Sequence, residues 1–241
     1  MTVVEHLEEL RYRVFISIVS IGLGAIGGWF LFNPALDLLR GPFCRALDVV
    51  PVASRPPTGC QLVFTGPVEP FLIKLKVVVF LGLFIALPVV LFQFWRFITP
   101  GLTKRERRLS VPFVVSSVFL FALGGFFAYL TLPRGLQFLL GFAGPGFVPL
   151  LTASRYIGFF ILLILAFGLS FEFPIVLIFL AVVGIISSRQ LRSWRRYVIL
   201  VIAIFAAIIT PSQDPYTMLA MMIPMYLFYE IAILVTRLMK R

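Results

Sequence analysis

The stretch 77-VVVFLGLFIALPVVLFQFW-95 carries no charged side chain from end to end. At about 1.5 Å of rise per residue, roughly 20 apolar residues cross a ~30 Å hydrocarbon layer, so this run has the length of a membrane span. Inside a soluble domain it would need an ample polar surface around it, and the chain lacks one. Hydrophobic residues make up 61% of the 241, charged residues only 13%, and the mean hydropathy is +1.06. That composition belongs to a polytopic membrane protein.

Working outward from a span at 71–98, five further apolar segments follow at 14–32, 111–132, 156–186, 197–209 and 216–235. The expected fold is all-α, with six transmembrane helices in one integral membrane domain covering 1–241. Gly and Pro punctuate several segments, which helices in lipid tolerate. Pro88 and Pro174 each remove a backbone donor inside a span and predict a kink there. The fifth segment has thirteen residues, hence about 20 Å of helix, some 10 Å short of an ordinary membrane core. Local thinning or packing against partners relieves such a mismatch. It places Asp214, at the outer end of this short hairpin, deeper than an ordinary loop residue.

The net charge of +11 would suggest nucleic acid in a soluble protein; here its distribution matters more. With six spans, Arg11, Arg13, Arg96, Lys104, Arg105, Arg107, Arg108, Arg189, Arg192, Arg195, Arg196, Arg237, Lys240 and Arg241 share one face. Arg40, Arg45, Arg55, Lys74, Lys76, Arg134 and Arg155 fall on the other. The positive-inside rule then puts both termini in the cytoplasm, and an odd number of spans would send one basic cluster to the wrong face. The first apolar segment lacks a small-residue cleavage site and reads as a retained helix. Residues 1–13 read as an amphipathic helix, with Thr2 and Glu5 at capping-box spacing. The segment 34-PALDLLRGPF-43 reads as a short interfacial helix ending near Gly41. Cys44 and Cys60 both lie in the first external loop, where an oxidising compartment permits a disulfide. Spacing alone does not show that they approach.

Candidate chemistry is sparse. His6 is the only histidine, so no second imidazole shares a metal with it. No nucleophile elbow and no Gly-rich phosphate loop is present. The expectation is a protein without catalysis, metal or cofactor. Glu172, in 170-SFEFP-174, stands out because a charge at mid-membrane costs about 2.5–3.5 kcal/mol on insertion scales. It is either a protonated carboxyl bonded to a freed carbonyl or to Ser170, or a polar group facing a cavity or passing substrate. Glu230, two turns before Arg237, reads as a side chain snorkelling towards the cytoplasm. On the cytoplasmic face the acids are Glu5, Glu8, Glu9 and Glu106. Glu9 and Arg13 form an i,i+4 pair of the favourable order. Glu106, among Lys104, Arg105, Arg107 and Arg108, makes a surface ion pair worth about 0–1 kcal/mol. By residue type alone, both acids read as structural.

The order of motifs changes that weighting. The runs 6-HLEELR-11, 93-QFWRFITPGLTKRERR-108, 170-SFEFP-174, 210-TPSQDP-215 and 223-IPMYLFYE-230 together resemble the TatC family. Those proteins are the signal-peptide receptors of the twin-arginine protein translocase. The resemblance implies a concave bundle of six helices, with short helices five and six and both termini in the cytoplasm of the inner membrane. It implies export of folded cargo recognised by paired arginines in a signal peptide, driven by the proton-motive force and without a cofactor. It assigns signal-peptide binding to Glu9, Glu106, Phe97 and Arg105, an intramembrane polar role to Glu172, and partner or external-cap contacts to Pro42, Thr210 and Asp214. The implied partners are single-span subunits of the TatA/TatB type, membrane lipid and further copies of the chain, with no nucleic acid. From another class, an ion-coupled transporter of small solutes with Glu172 as its proton or cation site remains the alternative.

Overall fold

The computed structural model describes residues 3–48, 55–56, 59–98, 110–141, 151–210 and 214–239. Chain order gives α1 (Val3–Phe30), α2 (Phe32–Leu47), α3 (Glu69–Ile98), α4 (Ser110–Gly141), α5 (Ala153–Phe171), α6 (Phe173–Val182), α7 (Ser188–Ser193), α8 (Arg195–Ile209) and α9 (Pro215–Leu238). Among the described residues the only β pairing is a single bridge between Val63 and Thr152. The protein is all-α and polytopic. Among the described residues five stretches are long and apolar enough to cross a membrane: α1, α3, α4, α5 continued by α6, and α9. At 15 residues, α8 is about 22 Å long, the short element that the sequence led us to expect.

The amphipathic start leads without a break into the first apolar run as one helix, α1, with no Pro between them. Two boundaries differ from expectation, each for a packing reason. The interfacial helix does not stop near Gly41. It runs through Gly41 and Pro42 to Leu47, because Leu39, Pro42, Phe43, Ala46 and Leu47 are buried against the bundle. Likewise α4 passes 132 and Pro133 to Gly141, burying Leu132 and Leu136. In both cases burial outweighs the local breaker.

Small residues set how the helices meet. A methyl group on Gly24 of α1 would lie 2.5 Å from the Gly82 carbonyl oxygen of α3, and one on Gly28 would lie 2.8 Å from the Val78 oxygen. The two backbones therefore touch, as small-xxx-small spacing allows in membranes. Further along, His6 stacks on Phe97 and Arg13 reaches Gln93, so α1 and α3 run antiparallel. That pairing carries the start of α1 to the end of α3. At the opposite end α2 lies across α4 and α5. Tyr156 donates to the Leu39 carbonyl at 2.8 Å, and Gln137 to the Arg45 carbonyl at 3.1 Å.

Candidate functional site

At the α1–α3 end, Glu9 is held from two directions. Arg13, one turn on, donates from Nε at 3.1 Å and also from Nη2 to the same Glu9 oxygen, Oε1. Its Nη1 reaches Gln93 Oε1 on α3 at 3.2 Å. The i,i+4 pair expected from the sequence is thus formed, and it consumes only one carboxylate oxygen. Glu9 Oε2 is buried and accepts no hydrogen bond among the described residues. One turn before Glu9, His6 lies face to face with Phe97, centroids 4.4 Å apart at 18°. Glu9 and Phe97, separated by most of the first two spans in sequence, therefore share one corner. Gln93 and His6, the first residues of two of the quoted motifs, complete that corner.

The second buried carboxylate with an unpaired oxygen is Glu172, whose Oε1 accepts nothing among the described residues. It is the single residue separating α5 from α6. Pro174 has no N–H to continue the ladder, so the predicted disturbance in this span is present. Ser170 donates instead to Ala166 O at 2.6 Å, not to Glu172. Ser117 of α4 lies near the Glu172 carboxylate, and it accepts from Trp95 Nε1 at 2.9 Å. Both are buried. An apolar cleft of about 400 Å³ opens beside this break, lined by Phe113, Leu120, Pro174, Ile178 and Phe228 among others. The Trp95–Ser117 bond joins α3 to α4 beside Glu172, a pairing that was not legible in the sequence.

The sequence model of the family described as Sec-independent protein translocase protein (TatC) matches residues 5–224. The chain belongs to the TatC family. It is similar to a Sec-independent protein translocase protein TatC of Frankia casuarinae, at 44% identity over 98% of this chain, and spans 65% of that relative's length. A TatC of Aquifex aeolicus is 38% identical over the whole chain and 97% of its own length. A crystal structure described as the twin arginine translocase receptor TatC superposes with a TM-score of 0.76 at 39% identity, covering 98% of this chain and 100% of that one.

This TatC-family chain places the remaining candidates as follows. Arg105 and Glu106 lie outside the described residues, as does Thr2. Pro42 is buried within α2. Thr210 is buried at the end of α8, donating to Ala206 O at 2.7 Å. Asp214 is only 3% exposed. It caps α9, accepting from Thr217 N at 2.8 Å and from Thr217 Oγ1 at 2.5 Å on its other oxygen. All three face the interior of this chain and not its surface. Glu230 does not simply snorkel. It takes Arg195 Nη2 at 2.5 Å and Tyr226 Oη at 3.1 Å, pinning α8 to α9. The start of α7 carries a capping box between Ser187 and Gln190, a Ser-x-x-Gln signal present in the sequence but not used.

Proposed function

We propose that this chain is the receptor and core subunit of a twin-arginine protein export system, lying in the inner membrane with both termini cytoplasmic. The observation that carries this reading is the buried Glu9 Oε2, unpaired among the described residues, beside the His6–Phe97 stack. A guanidinium is planar and permanently charged, pairs bidentately with a carboxylate and stacks on rings; an ammonium offers only a point charge. A corner that presents a half-free carboxylate next to flat rings suits the first far better than the second. Glu106 supplies the second carboxylate in this reading, for the second arginine, while Arg105 and its basic neighbours repel cationic peptides that engage neither acid.

The sixth crossing belongs to α8. It buries only Ile202 and Ala206 and leaves Ile199, Leu200, Ile204 and Ile208 exposed. A short helix with an apolar outer face favours packing by single-span partner subunits against α8 and α9, within a complex holding further copies of the chain. Glu172, at the break beside an apolar cleft, serves the transported segment and not small-solute coupling; membership of a translocase family weighs against the transporter alternative.

The test is a titration of the purified chain with a signal peptide carrying Arg-Arg and with its Lys-Lys counterpart. Preference for Arg-Arg that falls on Glu106→Gln, with membrane insertion intact, supports the reading. Equal affinity for both peptides overturns it.

A further inference from the structure

The external cap holds two cysteines that no part of the translocation site uses. Cys44 sits on α2, half-buried, and Cys60 lies exposed after the turn at Gly59. Both are free thiols in this structure, and they lie close enough for Cys60 to bear on the Cys44 thiol. Their approach follows from how the loop is held. Upstream, Arg55 Nη2 donates to the Asp48 carbonyl just past α2 at 2.9 Å, clipping the loop back onto that helix. Gly59 then turns the chain with φ +57, its N–H on Pro56 O at 2.9 Å, a conformation that glycine adopts freely. Downstream, Ala153 N donates to Val63 O at 2.7 Å, and Thr65 N to Glu69 Oε2 at 2.7 Å. Cys60 is therefore held between a tether to α2 and tethers to α5 and α3, beside the end of α2 that carries Cys44. Among the described residues no third His, Cys, Asp or Glu joins the two to form a metal-ligand group. The pair is arranged for each other.

We propose that Cys44 and Cys60 close an intramolecular disulfide that fastens the outer loop onto α2. The oxidant is a disulfide-bearing exchange partner of the extracytoplasmic compartment. Cys60, the exposed sulfur, attacks that disulfide as thiolate and forms a mixed disulfide, releasing one oxidant thiol. Cys44 Sγ then displaces the second. The chain's two thiols become one disulfide, the oxidant's disulfide becomes two thiols, and both protons end on those thiols. Burial first, and the neighbouring Cys60 second, push the Cys44 thiol up to about 11, so Cys44 is a poor first nucleophile at neutral pH. This order of events makes Cys60 the entry point. Closing the loop restricts the unfolded chain and so stabilises the cap.

The experiment traps thiols in intact cells with a maleimide and counts adducts on the isolated chain. The expected result is no adduct before reduction, two after it, and one without reduction in each of Cys44→Ser and Cys60→Ser. Adducts on both thiols of the unreduced native chain overturn the proposal, as do dimers linked through Cys60 after treatment with oxidised glutathione. A second measurement follows the unfolding midpoint. Reductant should lower it in the native chain and leave the Cys44→Ser/Cys60→Ser double variant unmoved; equal shifts in both overturn the bracing role. The proposal rests on the orientation proposed above, and a membrane-impermeant maleimide separates the two. If reduced thiols stay unlabelled in intact cells, the orientation fails; labelling before reduction defeats the disulfide itself.

Discussion

Asp214 and Glu9 are both carboxylates withdrawn from solvent, at opposite ends of the molecule, and they end in opposite situations. Asp214 has both oxygens engaged by Thr217, one by the backbone N–H and one by the hydroxyl. Glu9 gives one oxygen to Arg13 and keeps the other buried and unpaired among the described residues. Glu172 sides with Glu9. A buried polar atom without a partner costs about 1–3 kcal/mol, so a fold that keeps one pays for it in stability. The satisfied acid holds the fold; the two half-satisfied acids are where a ligand has something to gain. All three were singled out together in the sequence, and only their partners separate them.

The largest effect that tests this contrast is Glu9→Gln. It removes the charge facing an incoming guanidinium and should weaken Arg-Arg peptide binding by about ten- to hundred-fold, with little change in unfolding. If binding holds while stability falls, Glu9 belongs with Asp214. Next, Asp214→Ala should cost about 1–2 kcal/mol of stability through the lost cap, read by denaturant unfolding in detergent, while the folded fraction keeps its peptide affinity. Arg13→Lys should be smaller, roughly fivefold in peptide affinity, because one ammonium cannot span Glu9 and Gln93 as the guanidinium fork does. An unaltered isotherm would show that Arg13 does not orient the carboxylate. Smallest in its effect on binding is Ser117→Ala, which removes the acceptor of the buried Trp95 indole N–H beside Glu172. It should lower stability by about 1–3 kcal/mol and leave Arg-Arg affinity at the α1–α3 corner unchanged. A drop in that affinity would join the two regions that the comparison keeps apart.

Much of the fold was legible because lipid imposes a coarse rule: apolar length reports spans directly, without knowledge of packing. The break at Glu172 was legible too, through Pro174, whose missing donor acts locally. The ends of α2 and α4 were not. Gly41, Pro42 and Pro133 read as stops, and burial of Phe43, Leu47 and Leu136 against neighbouring helices carried the helices past them. Of the candidate site, Glu9, Phe97 and Glu172 were named by motif. His6, Gln93 and Trp95 lie inside the quoted motifs but were given no role there, and Ser117 lies in none, since each gains its partner only when another helix places it.

By itself, then, the sequence determined an all-α membrane protein, the order of its long apolar helices, the short α8 and the family to which the chain belongs. These follow from composition, run length and local motifs, properties that each segment carries alone. Only the tertiary structure decided which acids are spent and which are free, and which cysteines meet. Those are properties of pairs far apart in the chain. They come from glycine contacts such as Gly24 on Gly82, which bring α1 and α3 close enough for one helix to complete the other's hydrogen bonds.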